Sequence, residues 1–304
     1  MPVSVGAVWP EALAAEEPLP DIASLARVAE QAGLDGVWTG DRLIKDEMNV
    51  LDAGLVLAAA AAATERIAIG FSIYVPSLRS MAWAAREVAS LQVLSAGRLQ
   101  LGVALGGGPE REYQAVGLTG AHRARRTDDF LRLLPGLLGG EPVSLPDVPA
   151  GPVVHFRPAV PVPPVWVGGT AGAALRRAVS FGDGWLPGFL TADEFAASAR
   201  RLHELADEAG RPRLRLGIAT HATIAARPGA GLADVSARVV HAAYGIPADW
   251  ARQRVLAGTP AQVADQLAPY VQAGADMVHI VCDPLPSPES WELLAEVRQL
   301  LNPP

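Results

Sequence analysis

In the stretch 163–178, PPVWVGGTAGAALRRA, the apolar run Val165 to Val167 meets Gly168, Gly169 and Thr170, and a helical pattern begins at once. The first turn of a helix carries backbone N–H groups without partners and the positive end of the helix dipole, so it can hold an anionic group. Glycine has no Cβ and lets such a group reach the backbone. The same residues also make a tight turn with Thr170 as N-cap, and the motif alone leaves both readings open. No Gly-Lys-Ser/Thr follows, and the spacing is not that of a dinucleotide fingerprint.

Other residues join this stretch as candidates. Asp41 and Arg42 follow the apolar run GVWTG, either as a surface ion pair or as substrate-binding charges. Leu105-Gly106-Gly107-Gly108 is a second glycine cluster. A turn needs one or two glycines, so the third points to a flat ligand or a mobile loop. His221 sits in an otherwise apolar run, as a hydrogen-bonded structural residue or as a base. The other histidines show no metal-ligand spacing with carboxylates, and no metal is expected. There is no G-x-S-x-G nucleophile elbow. The single cysteine, Cys282, excludes an internal disulfide and reads as packing.

These residues need elements to position them. Apolar runs at 4–8, 36–39, 66–75, 98–105, 163–169, 184–187, 213–225 and 276–282 alternate with helical patterns at 21–32, 50–63, 79–94, 123–138, 171–181, 192–209, 260–273 and 288–301. Asp21 is placed as an N-cap and Gly33 as a helix stop. Strands alternating with helices imply a parallel sheet. Eight such units predict an α/β fold, a (β/α)8 TIM barrel formed by a single domain over 1–304. An open doubly wound sheet is the alternative. The Pro- and Gly-rich segment 139–164 reads as an insertion between the fourth helix and the fifth strand, placed as a lid over the barrel mouth and, with 226–258, as a wall of the substrate pocket. In a barrel the active site lies at the C-terminal ends of the strands. That selects Trp9, Asp41, Arg42, Ser72 to Tyr74, Ala104 to Gly108, Gly168 to Ala171, Trp185, His221, Cys282 and Asp283.

Composition narrows the partners. The chain has 304 residues, half of them hydrophobic, and a formal net charge of −7. No long basic run offers a nucleic-acid footprint. The first residues lack a basic region and a long apolar core, and the Ala-rich stretch 53–63 is too short to span a bilayer. The sequence reads as a soluble cytoplasmic protein. Lys45, the only lysine, falls in a loop, which argues against a Schiff-base aldolase.

Five stretches together resemble the bacterial-luciferase-like flavin or deazaflavin oxidoreductases. They are AEQAGLDGVWTGDRL (29–43), TERIAIGFSIYVPSLR (64–79), EVASLQVLSAGRLQLGVALGGG (87–108), PPVWVGGTAGAALRRAVSFGDGWLP (163–187) and AGTPAQVADQLAPYVQAGAD (257–276). The resemblance implies a (β/α)8 barrel with a flavin-type ring at its mouth. It implies a non-proline cis peptide at Ser72–Ile73 behind the ring, and the cofactor phosphate on Gly168, Gly169 and Thr170. Gly106 and Gly107 would lie along the cofactor tail, with Ala104 and Trp185 beside the site. Asp41 matches an aspartate near the ring in deazaflavin-dependent members.

Two departures stand out. Arg42 replaces a histidine common in deazaflavin-dependent dehydrogenases, and a guanidinium cannot act as a base at neutral pH. Gly107 stands where sugar-phosphate-oxidising members carry a glutamate. The expected activity is hydride transfer between coenzyme F420 and a small organic substrate, with Asp41, Arg42 and His221 as catalytic candidates. The alternatives are an FMN-dependent monooxygenase fed by a partner flavin reductase, a non-catalytic flavin-binding protein, and an unrelated phosphosubstrate barrel enzyme. A homodimer is expected from the same resemblance.

Overall fold

A computed structural model describes residues 2–303. Eight parallel strands close into a barrel: β1 (Ser4–Trp9), β2 (Gly36–Thr39), β3 (Ala68–Tyr74), β4 (Leu99–Val103), β5 (Val165–Gly168), β6 (Gly184–Leu186), β7 (Arg215–Ile224) and β8 (Met277–Cys282). Neighbours in sequence are neighbours in the sheet. Pairing of Gly184 and Trp185 with Arg215 and Leu216 joins β6 to β7, and pairing of Ser4 with Met277 joins β1 to β8. No sheet edge is left in the ring, so the expected barrel is the fold and the open sheet is excluded.

Eight helices surround it: α1 (Ile22–Ala32), α2 (Ala53–Ala63), α3 (Met81–Leu94), α4 (Arg123–Gly139), α5 (Gly172–Phe181), α6 (Ala192–Glu208), α7 (Pro260–Gln272) and α8 (Pro288–Leu301). The Asp21 carboxylate caps α1 through Ser24 N at 3.0 Å, and Gly33 ends it with φ of 86°, both as the sequence predicts. The main core lies between strands and helices, with Leu57, Ile69, Leu99, Leu101, Val167 and Leu202 fully buried.

The barrel interior packs two tryptophans with Val8, Leu186, Met277 and Val281. Trp38 and Trp166 point inward, where a Cβ on Gly6 or Gly70 would strike Trp38 and one on Gly184 would strike Trp166. Small residues on adjacent strands make room for large ones, which is how close packing is reached here. Trp166 donates to Gln100 Oε1 at 3.0 Å, and His279 packs 3.8 Å from the Trp38 ring. Arg98, from the Leu-Ser-x-Gly-Arg segment, donates to Ala61 O, Thr64 O and Ile67 O at 2.8–2.9 Å. It ties the end of α2 to the start of β3, at the stability face of the barrel rather than the active face.

Segment 139–164 departs from the expected lid. Its hairpin, Val143–Ser144 against Val153–Val154, is strapped to the flank. Val143, Leu145 and Phe156 join the main core, and the Asp147 carboxylate accepts from Met81 N at 2.8 Å, at the start of α3. Its apolar side chains find cover on the helices, which is why it does not reach the mouth. The region after β7 carries a further helix, Leu232–Tyr244, and a short strand, Leu256–Gly258, paired to the end of β7. No helix among the described residues is long and apolar enough to cross a membrane.

Candidate active site

The C-terminal ends of the strands converge on a cavity of about 210 Å³. Ile73, Ala104 and Gly168 come from β3 and the ends of β4 and β5 and form part of its wall. A Cβ at residue 168 would stand 3.1 Å from Ala104 Cβ and 3.2 Å from Ile73 Cγ2, so the bare backbone keeps this wall open. The Ser72–Ile73 peptide is cis, and the pairing of β3 with β4 shifts register between Phe71 and Tyr74. Ser72 Oγ lies 3.3 Å from His279 Nδ1. Burial pushes the His279 imidazole down to about 3, so it is neutral, and its Nε2 has no hydrogen-bond partner among the described residues.

A second cavity of about 690 Å³ opens beside the first and shares Glu11, Ile73 and Tyr244 with it. Gly106, Gly107 and Gly108 line it, with Asp41, Arg42 and Lys45. The two volumes together match a pocket for a molecule of cofactor size, roughly 300–1,000 Å³. Gly107 is open, with nothing within 4 Å of a Cβ placed there. Gly108 has a different reason to be glycine: the Glu112 carboxylate and Arg42 Nη1 occupy the space a Cβ would take. The third glycine of the cluster therefore makes room for a buried ion pair, and neither a flat ligand nor loop mobility is needed to explain it.

The charged candidates are already engaged. Asp41 is buried and receives Arg79 Nη1 at 2.6 Å, Arg79 Nη2 at 2.9 Å and Val75 N at 2.9 Å. Its own backbone N–H donates to Ile73 O at 3.0 Å, which fixes the cis segment to the end of β2. Arg79 also lies 3.3 Å from Glu87, and Glu87 accepts from the Tyr74 hydroxyl at 2.8 Å. Arg42 donates to Glu11 at 2.6 Å and lies 3.5 Å from Glu112. Burial opposes its charge, yet Glu11 and Glu112 outweigh that and hold the guanidinium protonated. With two carboxylates beside it, Arg42 has little uncompensated charge to offer a substrate anion.

At the β5 turn, residues 169–173 are exposed and Gly169 has φ of 105°. The N-cap of α5 is Ala171, with no side-chain cap, so Thr170 does not cap the helix. Gly168 and Gly169 line the cavity. Thr170 and Trp185 are not among its lining residues. Trp185 is fully buried behind the turn, donates to Gly169 O at 2.8 Å and stacks on Phe195.

His221 lines the cavity from β7. Its Nδ1 lies 3.1 Å from both oxygens of Asp283, at the end of β8, and its Nε2 lies 3.4 Å from the Tyr244 hydroxyl. Asp283 stood among the strand-end candidates, but its pairing with His221 crosses 62 residues. Tyr244 was missed because its helix falls outside the strand–helix alternation.

Fold and site together define a (β/α)8 barrel with a cofactor-sized pocket at the C-terminal ends of its strands. The model of the luciferase-like monooxygenase family matches residues 3–246, and the chain belongs to that family. A 5,10-methylenetetrahydromethanopterin reductase of Methanolobus tindarius is 28% identical over 74% of this chain and 67% of its own. An F420-dependent glucose-6-phosphate dehydrogenase of Beutenbergia cavernae is 34% identical over 55% of this chain and 52% of its own. The match to an uncharacterized protein of Mycobacterium tuberculosis, 32% identical over 57% of this chain, spans 60% of that relative's length. Among solved structures, an F420-dependent secondary alcohol dehydrogenase superposes with TM-score 0.77 at 16% identity, covering 98% of each chain. An EDTA monooxygenase from Chelativorans sp. BNC1 superposes with TM-score 0.79 at 18% identity, covering 99% of this chain and 93% of its own. At these identities the structural likeness is one of fold alone.

Proposed function

We propose that this protein transfers a hydride between coenzyme F420 and a small organic substrate. The observation that carries the reading is the open wall of Ile73, Ala104 and Gly168, set beside the uncapped start of α5. The residues fit a flat ring with an anionic tail. A Cβ at 168 would crowd this wall, and His279 Nε2 is a buried polar atom left without a partner. Ser72, Ile73 and Ala104 would hold the ring. Gly106, Gly107 and the N–H groups after Gly168 would hold the tail, with Thr170 at the rim. When bound, the cofactor supplies a ring carbon that gives or takes a hydride. The protein's own work is to orient and to exclude water. Trp9, Leu186, Phe189 and Val281 make the cavity largely apolar, and Asp41 and Arg79 fix the segment under it. F420 is favoured over FMN because a relative at 34% identity is by name an F420-dependent glucose-6-phosphate dehydrogenase.

The family description favours a second reading, an FMN-dependent monooxygenase supplied by a flavin reductase. Oxygen separates the two. The F420-loaded protein exchanges hydride without oxygen uptake, and uptake with supplied reduced FMN would reverse the preference.

A homodimer and a cytoplasmic location go with this reading. Helix α2 is apolar around its whole circumference, and such a helix is normally covered on all sides. Yet Leu55 is 72% exposed and Trp83, on neighbouring α3, is 73% exposed. They border a groove of about 850 Å³ on this face, where a projecting Trp83 and a neighbouring hollow suit a self-complementary pairing.

A further inference from the structure

Hydride transfer to or from carbon that bears oxygen requires a proton to move at that oxygen. Of the groups suggested by the sequence, three do not supply it. Arg42 stays protonated, Asp41 is held by Arg79 and Val75, and Gly107 has no side chain. Four titratable side chains line the smaller cavity: Glu11, His221, Tyr244 and His279. Glu11 is tied to Arg42, and His279 is fully buried beside Trp38 and Ser72. That leaves His221 and Tyr244.

His221 is built to be oriented. Asp283 presents both oxygens to Nδ1 at 3.1 Å, and the two residues are 2% and 6% exposed. Phe189 stacks on the imidazole at 5.6 Å and 18°, with its own backbone at φ of 56°. A bulky residue rarely adopts that conformation, and such residues cluster at working sites. A carboxylate on Nδ1 selects the tautomer with the proton there and leaves the Nε2 lone pair free. Tyr244 faces that lone pair at 3.4 Å, and its ring packs on both Phe189 and His221.

We propose that His221, positioned by Asp283, is the proton acceptor and donor of this site, and that Tyr244 is the hydroxyl that binds substrate oxygen. The proposal rests on the hydride-transfer reading above. In the oxidation, the substrate O–H bond breaks and its proton goes to His221 Nε2. The C–H bond breaks and its hydride would pass to oxidised F420, so that carbon is oxidised by two electrons as the C=O bond forms. The imidazolium is balanced by the Asp283 carboxylate. The reduction is the reverse, with Nε2–H returning the proton to oxygen. Burial raises the Tyr244 hydroxyl well above its usual range, with Glu11 and Asp283 adding to it, so Tyr244 acts as a neutral donor. The cavity that His221 and Tyr244 line also presents Ser72, Thr220 and His279 among mostly apolar residues. The arginine at its edge is already matched by two glutamates, so an anionic substrate gains nothing there.

The test has a readout independent of turnover. Long-range proton–nitrogen spectra of apo-protein labelled with nitrogen-15 histidine are expected to show His221 with its proton on Nδ1. Asp283→Asn moves population to the Nε2–H form, and cyclohexanol shifts the Nε2 signal in the wild type. With F420 bound, cyclohexanol and 2-butanol are oxidised. His221→Gln lowers kcat by about 100-fold or more with little change in KM, the usual size of a general-base effect. Tyr244→Phe raises KM, and Asp283→Glu recovers more activity than Asp283→Asn. An Nε2–H tautomer in the wild type, an unperturbed Nε2 signal with cyclohexanol, or unchanged kcat in folded His221→Gln overturns the assignment. If F420 binds but neither alcohol reacts, the proton-transfer assignment falls while the cofactor reading stands. If no F420 binds, the hydride reading itself falls.

Discussion

Arg79 grips Asp41 with two parallel hydrogen bonds, Nη1 to Oδ2 at 2.6 Å and Nη2 to Oδ1 at 2.9 Å, just beneath the Ser72–Ile73 segment. The pair joins the end of β2 to the loop before α3, and Asp41 also takes the Val75 N–H. A residue that reads from the sequence as a partner for the ring is here a brace for the backbone that would carry it.

Removing one member of a buried ion pair leaves the other charge unmatched, at a cost of about 3 kcal/mol or more. Asp41→Ala is therefore expected to lower stability by about that amount in urea denaturation. A variant with undiminished stability and lost cofactor binding would put Asp41 back among the ligand-binding groups.

His279 gives the protein a pH dependence. Burial lowers its folded-state value to about 3, below the ordinary 6.5. Between these values the unfolded chain binds the proton and the folded chain does not. Stability from this group is thus present above pH 6.5 and falls as pH drops toward 3, by up to about 1.4 kcal/mol per unit. Urea midpoints at pH 7 and pH 5 should differ in that direction, and His279→Gln should flatten the difference. Equal slopes in the two proteins would assign the acid sensitivity elsewhere.

Gly169 and Gly107 make unequal tests of the pocket. Gly169 has φ of 105°, so a β-branched residue there strains the backbone and lowers stability whatever the turn binds. Gly107 has an ordinary φ and open space around its Cβ position. Gly107→Leu should leave the melting temperature within about 2 °C, as surface substitutions usually do, and weaken cofactor binding more than about tenfold. Unchanged binding would remove the 106–108 loop from the site.

The exposed face of α2 and α3 predicts a dimer. Trp83→Glu should convert it to monomer in light scattering after gel filtration, with the far-ultraviolet dichroism unchanged. A wild-type protein that is monomeric at all concentrations would contradict the pairing.

The barrel was legible because its signals are local. Alternating apolar runs and helical patterns, Asp21 as cap and Gly33 as stop each lie within a few residues of what they determine. The strand-end rule also brought Ala104, Gly168 and His221 to one cavity. What the sequence does not show depends on distant partners. Gly108 is glycine because of Glu112 and Arg42, Trp185 is turned to Gly169 O, and Asp283 meets His221 across two strands. Segment 139–164 reads as a lid by its proline and glycine, whereas the burial of Val143, Leu145 and Phe156 straps it to the flank.

The proposed function requires that the pocket of Ile73, Ala104, Gly106, Gly107 and Gly168 take a deazaflavin. Titration of purified apo-protein with F420 and, separately, with FMN, followed by the fluorescence of each, tests it most directly. Saturable binding of F420 at micromolar levels or below is expected, with weaker binding of FMN and weaker binding of both in Gly107→Leu. Binding of neither cofactor at micromolar levels would contradict it.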